Sequence, residues 1–229
     1  ELRADLLRSI SHDLRTPLTG ISGNAALLME NELNEATRRE IYGDIYDDSQ
    51  WLINLVENLL SITRIAADGK LSNAQPELVS DVIHEALSHI DRNAEKHSIT
   101  VQLTDEYLMA NMDVRLITQV LINIVNNAVK YTPEGSLIVI SAEDIGEFAQ
   151  IKIADDGAGI PDESKARIFD MFYTGDLVGG DSRRGLGLGL ALCRSIVLAH
   201  GGEISVTDNA PHGAVFTFTL PKVEVNKNE

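Results

Sequence analysis

Apolar residues recur at heptad spacing along the first thirty residues of the chain. The repeat consists of Leu7, Leu14, Ile21 and Leu28, and the alternate positions are taken by Ile10, Pro17 and Asn24. This spacing predicts a helix whose apolar stripe packs against a neighbouring helix, although the polar Asn24 weakens the stripe. The polar residues 31–34 interrupt the pattern and predict a short loop.

A second long helix is predicted over residues 36–67. Its apolar stripe consists of Ile41, Ile45, Leu52, Leu55, Leu59 and Ile62. Two long helices joined by a short loop pack antiparallel, so residues 1–68 are predicted to form an all-α antiparallel helical hairpin. Because two helices alone bury little apolar surface, we expect a homodimer in which two hairpins form a four-helix bundle.

The rest of the chain alternates between helical and strand patterns and predicts an α/β domain. Residues 69–75 are expected to be a linker, residues 76–222 the domain, and residues 223–229 a polar tail. Helices are predicted over 79–97, from an N-cap at Asp113 to about Tyr131, and after the glycines at 185–189. Strands and hairpins are predicted over 99–103, 136–154 and 200–221.

The net charge of −16 excludes several classes of partner. Nucleic acids and anionic lipid surfaces attract basic segments, so neither partner is expected. The single cysteine, Cys193, excludes an intrachain disulfide framework and fits a reducing, cytoplasmic compartment. It lies in an apolar helical run, which favours a small buried side chain over a reactive thiol. The chain opens without a methionine, and we expect a fragment of a longer protein.

A chemically distinctive string, Ser-His-Asp-Leu-Arg-Thr-Pro-Leu, occupies residues 11–18. At 100° per residue, His12 lies opposite the apolar stripe and Thr16 lies one turn further on the same face. Pro17 cannot donate a hydrogen bond to the carbonyl of Asp13, so we expect the helix to kink or open there. A neutral imidazole is a nucleophile near pH 7, and the Asp13 carboxylate can hold the tautomer that leaves Nε2 free. A surface histidine without a function is the alternative.

Three polar residues share one face of the helix after Asp113. Asn123, Asn127 and Lys130 stand at positions i, i+4 and i+7. Amide oxygens are hard ligands that suit a hydrated Mg²⁺, and a lysine attracts phosphate. A solvated helix face would give the same pattern, so the residues alone leave both interpretations open.

Two glycine-rich segments predict a nucleotide site. Asp-Asp-Gly-Ala-Gly-Ile, residues 155–160, follows a predicted strand, and Arg-Gly-Leu-Gly-Leu-Gly-Leu, residues 184–190, opens a helix. A buried carboxylate at Asp155 can accept a hydrogen bond from the exocyclic amine of adenine. Glycines permit close backbone approach, and a helix start presents N–H groups to phosphate. Arg183 and Arg184 could either reach phosphates or be surface charges.

Taken in order, these strings resemble the motifs of the two-component sensor histidine kinases. They match the phosphoacceptor box at 11–18, the N box at 121–132, the G1 box at 155–160, the F box at 168–173 and the G2 box at 184–190. The resemblance covers nearly all of the chain and is closest to the KdpD branch. It implies a dimerisation and phosphotransfer hairpin, followed by a two-layer α/β sandwich of the GHKL (Bergerat) ATPase type. In the F box, Phe172 and Tyr173 could pack or contact nucleotide, and we favour packing.

The resemblance implies autophosphorylation of His12 by Mg²⁺-ATP and transfer to an aspartate in the receiver domain of a cognate response regulator. Asp13 would act as general base, Thr16 would help to position water when the regulator is dephosphorylated, and Asn127 would lie at the metal. The other implied ATP contacts are Asn123, Lys130, Tyr131, Asp155, Gly157, Gly159, Ile160, Arg184, Gly185, Leu186, Gly187, Leu188 and Gly189. The family also implies a membrane-anchoring sensor region N-terminal to this fragment.

Three other functions are weighed against this one. ATPases that share the nucleotide fold carry a glutamate four residues before the metal-binding asparagine, and Asn123 in that place disfavours an ATPase clamp. A dimeric scaffold that binds ATP without catalysis is disfavoured by the complete set of motifs. A protein that acts mainly as a phosphatase of its regulator stays open.

Overall fold

The computed structural model describes residues 2–68, 73–90, 92–174 and 187–223, which fall into two compact units. The first unit is built on two helices, α1 (Leu2–Glu30) and α2 (Glu35–Asp68), as the heptad spacing predicts. Asn34 caps α2, because its Oδ1 accepts a hydrogen bond from the Thr37 N–H (2.9 Å). None of the helices in the described ranges is both long and apolar enough to cross a membrane.

Helix α1 continues through Pro17 without a break, so it does not open beside His12, and the kink that we expected as the alternative stays a prediction. The Pro17 side chain is buried. Apolar burial of the ring therefore offsets the loss of one helical hydrogen bond.

The interior of the hairpin follows the predicted stripe of α2. Ile41 and Leu55 are buried, and the two helices approach closely at Gly20, where an added Cβ would lie 2.6 Å from Asp48 Oδ2. A second apolar stripe runs along α2 and is about half exposed. This outer stripe consists of Tyr42, Tyr46, Ile53, Val56 and Leu60, each 47 to 63% exposed. Its spacing of four, seven, three and four residues keeps the five side chains on one face.

The second unit combines a sheet with helices. Its elements are β1 (Gln75–Leu78), α3 (Val79–Ser88), a 3₁₀ turn (Arg92–Lys96), β2 (Ser98–Leu103), β3 (Met109–Met112), α4 (Val114–Tyr131), β4 (Leu137–Asp144), β5 (Phe148–Asp155), α5 (Asp162–Lys165), α6 (Gly189–Ala199), β6 (Ile204–Asp208) and β7 (Ala214–Pro221). The main sheet has the order β2-β4-β5-β7-β6, with β2 parallel to β4 and the other pairs antiparallel. Strands β1 and β3 pair separately.

The core lies between the sheet and the helices α3, α4 and α6. Strand β5 buries every second residue, as expected for a sheet that is covered on one face. Helix α4 turns its apolar face inwards, and the largest fully buried side chains include Ile124, Ile153, Ile196 and Phe218. This two-layer arrangement is the predicted α/β sandwich.

The structure differs from the predicted elements at three places, one of which is the short helix α5 (Asp162–Lys165), which was not predicted. The helix predicted over 79–97 ends at Ser88, and a separate 3₁₀ turn follows. The carbonyl of Lys96 in that turn accepts from Gly135 N–H (2.8 Å), a contact from a distant part of the chain. The pair of short strands β1 and β3 was not predicted, because each has only four residues and pairs across more than thirty positions.

Candidate functional site

Helix α4 supplies one wall of the candidate site. Its start is fixed by the predicted N-cap, since Asp113 Oδ1 accepts from Leu116 N–H (3.3 Å). Of the predicted polar residues, Asn123 and Asn127 are half-buried, whereas Lys130 and Tyr131 are exposed. The ammonium of Lys130 lies 4.9 Å from the centre of the Tyr131 ring. The two residues predicted for a nucleotide contact are therefore adjacent at the end of the helix.

Asn123 faces the beginning of α6. A Cβ added at Gly189 would lie 3.8 to 4.0 Å from the amide group of Asn123. The amide nitrogen of Asn123 is buried and has no hydrogen-bond partner within the described ranges. The Asn123 amide also lies beside the buried Cys193 thiol of α6, whose pKa it lowers against the larger raising effect of burial, so it packs between α4 and α6.

The start of α6 is held close to the F box by Gly187. Its φ is +61°, and an added Cβ would lie 2.5 Å from the Tyr173 carbonyl oxygen. The carbonyl of Gly187 accepts from the Phe172 N–H (3.1 Å), and Leu188 is buried just before the helix begins. The N-cap residue of α6, Leu188, makes no side-chain hydrogen bond to the first turn, so among the described residues that turn keeps the N–H groups typical of an anion site. Arg183, Arg184, Gly185 and Leu186 lie outside the described residues.

Asp155 stands at the end of β5, as predicted, and is only 7% exposed. Its Oδ1 accepts from the N–H groups of Gly157 (3.0 Å) and Ala214 (3.2 Å). Within the part of the chain that is described, no group donates to its Oδ2. One oxygen is thus fixed by the backbone, and the other is available to a donor such as the amine of adenine.

The glycines of the G1 segment permit close packing. A Cβ added at Gly157 would lie 2.7 Å from Thr132 Cγ2, directly after α4. Gly159 has φ +77°, and its Cα approaches the carbonyl of Gly213. Ile160 is half-buried beside it. The G1 segment therefore meets the end of α4, whereas the G2 segment meets Asn123 nearer its middle.

Tyr173 of the F box packs against neighbouring side chains, which is the interpretation that we favoured. Its hydroxyl donates to Ser164 Oγ (2.9 Å), and the Arg167 guanidinium lies 4.6 Å from its ring centre. Phe169 is buried and meets Phe216 edge to face at 6.3 Å. Phe172 has a left-handed φ of +65°, which is unusual for a residue with a side chain.

The phosphoacceptor box lies on α1. The backbone of His12 and Asp13 is helical, and their side chains are outside the described residues. Thr16 is exposed, in agreement with its predicted face. The predicted solvent-facing position of His12 stays a prediction.

Two polar residues that organise the site were missed from the sequence. His200 joins α6 to the N-cap of α4, and Asn209 donates to the backbone of Asp155. In the sequence, Asn209 lies two residues before Pro211 in a short polar segment, and such a segment is typical of a turn rather than of a functional site.

Cys193 behaves as the sequence predicts. The side chain is fully buried, and burial raises the pKa of its thiol to about 12. A thiol with such a pKa carries almost no thiolate near neutral pH.

Comparisons with known proteins agree with this architecture. Residues 112–224 match the family model of the histidine kinase-, DNA gyrase B- and HSP90-like ATPases, and residues 2–68 match that of the His Kinase A (phospho-acceptor) domain. The sensor protein KdpD of Clostridium acetobutylicum is 43% identical over 96% of this chain. The chain spans about a quarter of the length of that relative, 25%.

Solved structures resemble the chain over nearly its whole length. Histidine kinase ThkA in complex with response regulator protein TrrA gives a TM-score of 0.73 at 26% identity, covering 96% of this chain and 61% of that one. Full-length ShkA in complex with AMPPNP gives a TM-score of 0.71 at 27% identity, covering 96% and 46%. With both family models and a close KdpD relative, the chain belongs to the sensor histidine kinases and is KdpD-like.

Proposed function

We propose that this chain is the catalytic core of a sensor histidine kinase. It transfers the γ-phosphoryl group of ATP to His12, and the phosphoryl group then passes to an aspartate of a response regulator. The KdpD relatives are about four times longer than this chain, and a sensor region with any link to a membrane would belong to the part of such a protein that this core does not include.

The observation that carries the proposal is the layout along α4. The adenine-type acceptor, Asp155, belongs to the segment that meets the end of the helix at Thr132, and the start of α6 meets Asn123. Thr132, the C-cap of α4, follows Asn123 by nine positions, a rise of about 13.5 Å along the helix. This span suits an extended nucleoside triphosphate, with its base at Asp155 and its phosphates at the N–H groups of α6.

The residues of this wall also fit a nucleotide-bound Mg²⁺. Asn127 lies one turn from Asn123, and amide oxygens are ligands that Mg²⁺ accepts alongside water and phosphate. When bound, Mg²⁺ neutralises phosphate charge. Asn127 would hold the ion, and Asn123, Lys130 and Tyr131 would contact the nucleotide. The glycine-rich segment from Arg184 to Gly189 would surround the phosphates.

Transfer requires His12 to approach the γ-phosphorus in line. The Nε2 atom forms the N–P bond as the bond to the β,γ-bridging oxygen breaks, and ADP leaves. Asp13 holds the reactive tautomer and takes the Nδ1 proton. Thr16 lies one turn away and would help to position the water that hydrolyses the phospho-aspartate of the regulator and releases phosphate. ThkA was solved with a response regulator, which supports the same kind of partner for this chain.

The outer stripe of α2 supports a homodimer. Five large apolar side chains about half exposed on one helix face exceed what an isolated hairpin normally leaves in water. A second hairpin that covers this stripe would complete a four-helix bundle.

Incubation with ATP labelled at the γ-phosphate tests the kinase reaction. We expect an acid-labile, base-stable label on the wild-type chain and none on His12→Gln. The matched control His84→Gln changes an exposed histidine of α3 and should keep the label. Asn127→Ala should lower the rate by about a hundredfold or more, because the metal and phosphate charges lose a positioned partner. The exposed Asn111→Ala is its control. A label that persists in His12→Gln, or bound ATP without any label, contradicts the proposal.

A further inference from the structure

The loop between β6 and β7 closes over the peptide of Asp155. We call residues 209–213 the clamp loop. Asn209 Nδ2 donates to the Asp155 carbonyl oxygen at 2.8 Å, across 54 positions of sequence. The loop then returns so that the next N–H group, that of Ala214, donates to Asp155 Oδ1. The same loop therefore fixes both the main chain and the side chain of one residue.

The orientation of the Asn209 amide follows from its surroundings. Its Oδ1 accepts from the Ala210 N–H (3.0 Å), while its Nδ2 faces a carbonyl oxygen. A flipped amide would set donor against donor and acceptor against acceptor. The backbone N–H of Asn209 is also engaged, because it donates to the Gly213 carbonyl (3.0 Å). The side chain is thus locked with its donor on Asp155.

Gly213 permits the approach that this arrangement requires. It has φ +114°, and an added Cβ would overlap the Asp155 carbonyl group. A ring nitrogen of His212 lies 3.2 Å from the Gly157 carbonyl oxygen, so the clamp loop also contacts the G1 segment beyond Asp155. Ladder pairing between β5 and β7 ends one residue earlier, at Ala154 and Val215. Asn209 therefore supplies a hydrogen bond where the regular sheet has stopped.

We propose that Asn209 is a positioning residue for base recognition: by holding the Asp155 peptide, it aims the free Oδ2 of Asp155 at the exocyclic amine of adenine. This inference rests on the proposed function, since it assumes that the site binds ATP. Asn209 acts through Asp155 and is not itself a contact of the nucleotide. Without the Asn209 donor, the Asp155 peptide can rotate, and the carboxylate then moves away from the exocyclic amine of adenine.

The test measures base selectivity with the full 229-residue chain. Calorimetry gives the Kd for Mg²⁺-ATP and for the Mg²⁺ salt of purine riboside triphosphate, which lacks the amine. The ratio of the second Kd to the first reports the contact of the amine. Asn209→Asp keeps the shape and the acceptor for Ala210 but sets a charged oxygen, in place of the donor, against the Asp155 carbonyl, so we expect the ratio to fall about two- to tenfold. Asn209→Ala should act in the same direction and serves if the first variant does not fold. Asn111→Ala, on β3, should leave the ratio unchanged.

The outcomes separate this inference from the function on which it rests. In an Asp155→Ala background, Asn209→Ala should change the ratio no further, because the residue through which it acts is gone. If Asp155→Ala lowers the ratio and the Asn209 variants do not, or if they weaken both nucleotides equally, the positioning role is overturned. If the wild-type chain already shows a ratio near one, the adenine contact of Asp155 is wrong and the positioning role of Asn209 is lost with it, whereas the kinase proposal is decided separately by the γ-phosphate label on His12.

Discussion

His200 shows how one buried side chain can join two walls of the site. Its Nδ1 donates to the Ile196 carbonyl (2.7 Å), and its Nε2 accepts from the Asp113 N–H (3.0 Å). Both contacts need the neutral ring, because a protonated ring has no acceptor. Burial lowers the pKa of His200, against the opposing effects of the Ile196 carbonyl and of the Asp113 carboxylate.

Stability should therefore depend on pH through His200. In the unfolded chain a histidine titrates near 6.5, and in the folded chain His200 titrates lower, so the unfolded chain binds more protons in between. The stabilisation by neutral His200 is complete above about pH 6.5 and is lost as the pH falls through that value toward the folded pKa. The slope contributed is at most about 1.4 kcal/mol per pH unit.

Urea unfolding between pH 5 and pH 8 checks this expectation. His200→Gln should unfold more easily at pH 8 and should lose part of the pH dependence, whereas His84→Gln, at an exposed position, should keep the wild-type profile. Equal pH profiles for wild type and His200→Gln would contradict the assignment.

For single residues, the sequence predicts those that take part in chemistry better than those that position them. Asp155, Asn123 and Asn127 stand in strings whose residue types suit phosphate, metal or adenine. His200 and Asn209 act on partners 87 and 54 positions away, and nothing near them in the chain indicates those partners. Their roles arise only when β5, β7, α4 and α6 come together.

Helix α6 is closely followed by two glycines, Gly201 and Gly202, that tolerate substitution poorly. Gly201 has φ +77°, its N–H donates to the Leu198 carbonyl, and the Gly202 N–H donates to the Val197 carbonyl, both at 3.0 Å. This pattern is a glycine-based C-terminal cap. The chain then turns directly into the approach to β6, and a Cβ at Gly202 would overlap the Thr219 carbonyl oxygen of β7.

We expect Gly202→Ala to destabilise the α/β unit by about 3 kcal/mol, because the clash involves backbone that cannot move without disturbing the sheet. Gly135→Ala is the control. Gly135 has φ +89° but open space around it, so only the backbone strain of about 1 kcal/mol is expected. Urea unfolding gives both values. A smaller loss for Gly202→Ala than for Gly135→Ala would show that β7 yields to the methyl group.

The boundaries of helices and strands were predicted well where local sequence sets them and poorly where distant contacts do. Helix α4 was predicted closely, because its apolar period and its Asp113 cap lie within the segment itself. The helix predicted from residue 79 was too long. Residues 92–96 form a separate turn, in which the Lys96 carbonyl accepts a hydrogen bond from Gly135, a residue beyond α4. Strands β1 and β3 lacked any signal of their own beyond four residues each.

On the scale of the whole molecule, the two units have different sequence requirements. The α/β unit buries its own core, to which the strands β3, β4, β5 and β7 and the helices α3, α4 and α6 contribute most of the buried side chains. The hairpin buries Ile41 and Leu55 but leaves the outer stripe of α2 half exposed. Ile41 and Leu55 belong to the apolar stripe that the sequence predicts for α2, and a homodimer was expected from the small area that two helices can bury. The outer stripe identifies the surface on which that dimer can form.

The dimer can be tested with a single charge. Val56→Glu places a carboxylate in the middle of the outer stripe, where a second hairpin would have to bury it, and burial of an unpaired charge is costly. We expect the dimer to weaken by about a hundredfold or more in Kd while α2 stays helical, because glutamate is a good helix former. Ala36→Glu introduces the same charge at an exposed position off both stripes of α2 and should leave the dimer intact. Sedimentation equilibrium measures the association, and circular dichroism confirms the helix. If Val56→Glu remains as dimeric as Ala36→Glu, the outer stripe is not the interface. If the wild-type chain is monomeric throughout the micromolar range, the four-helix bundle is not formed by this core alone.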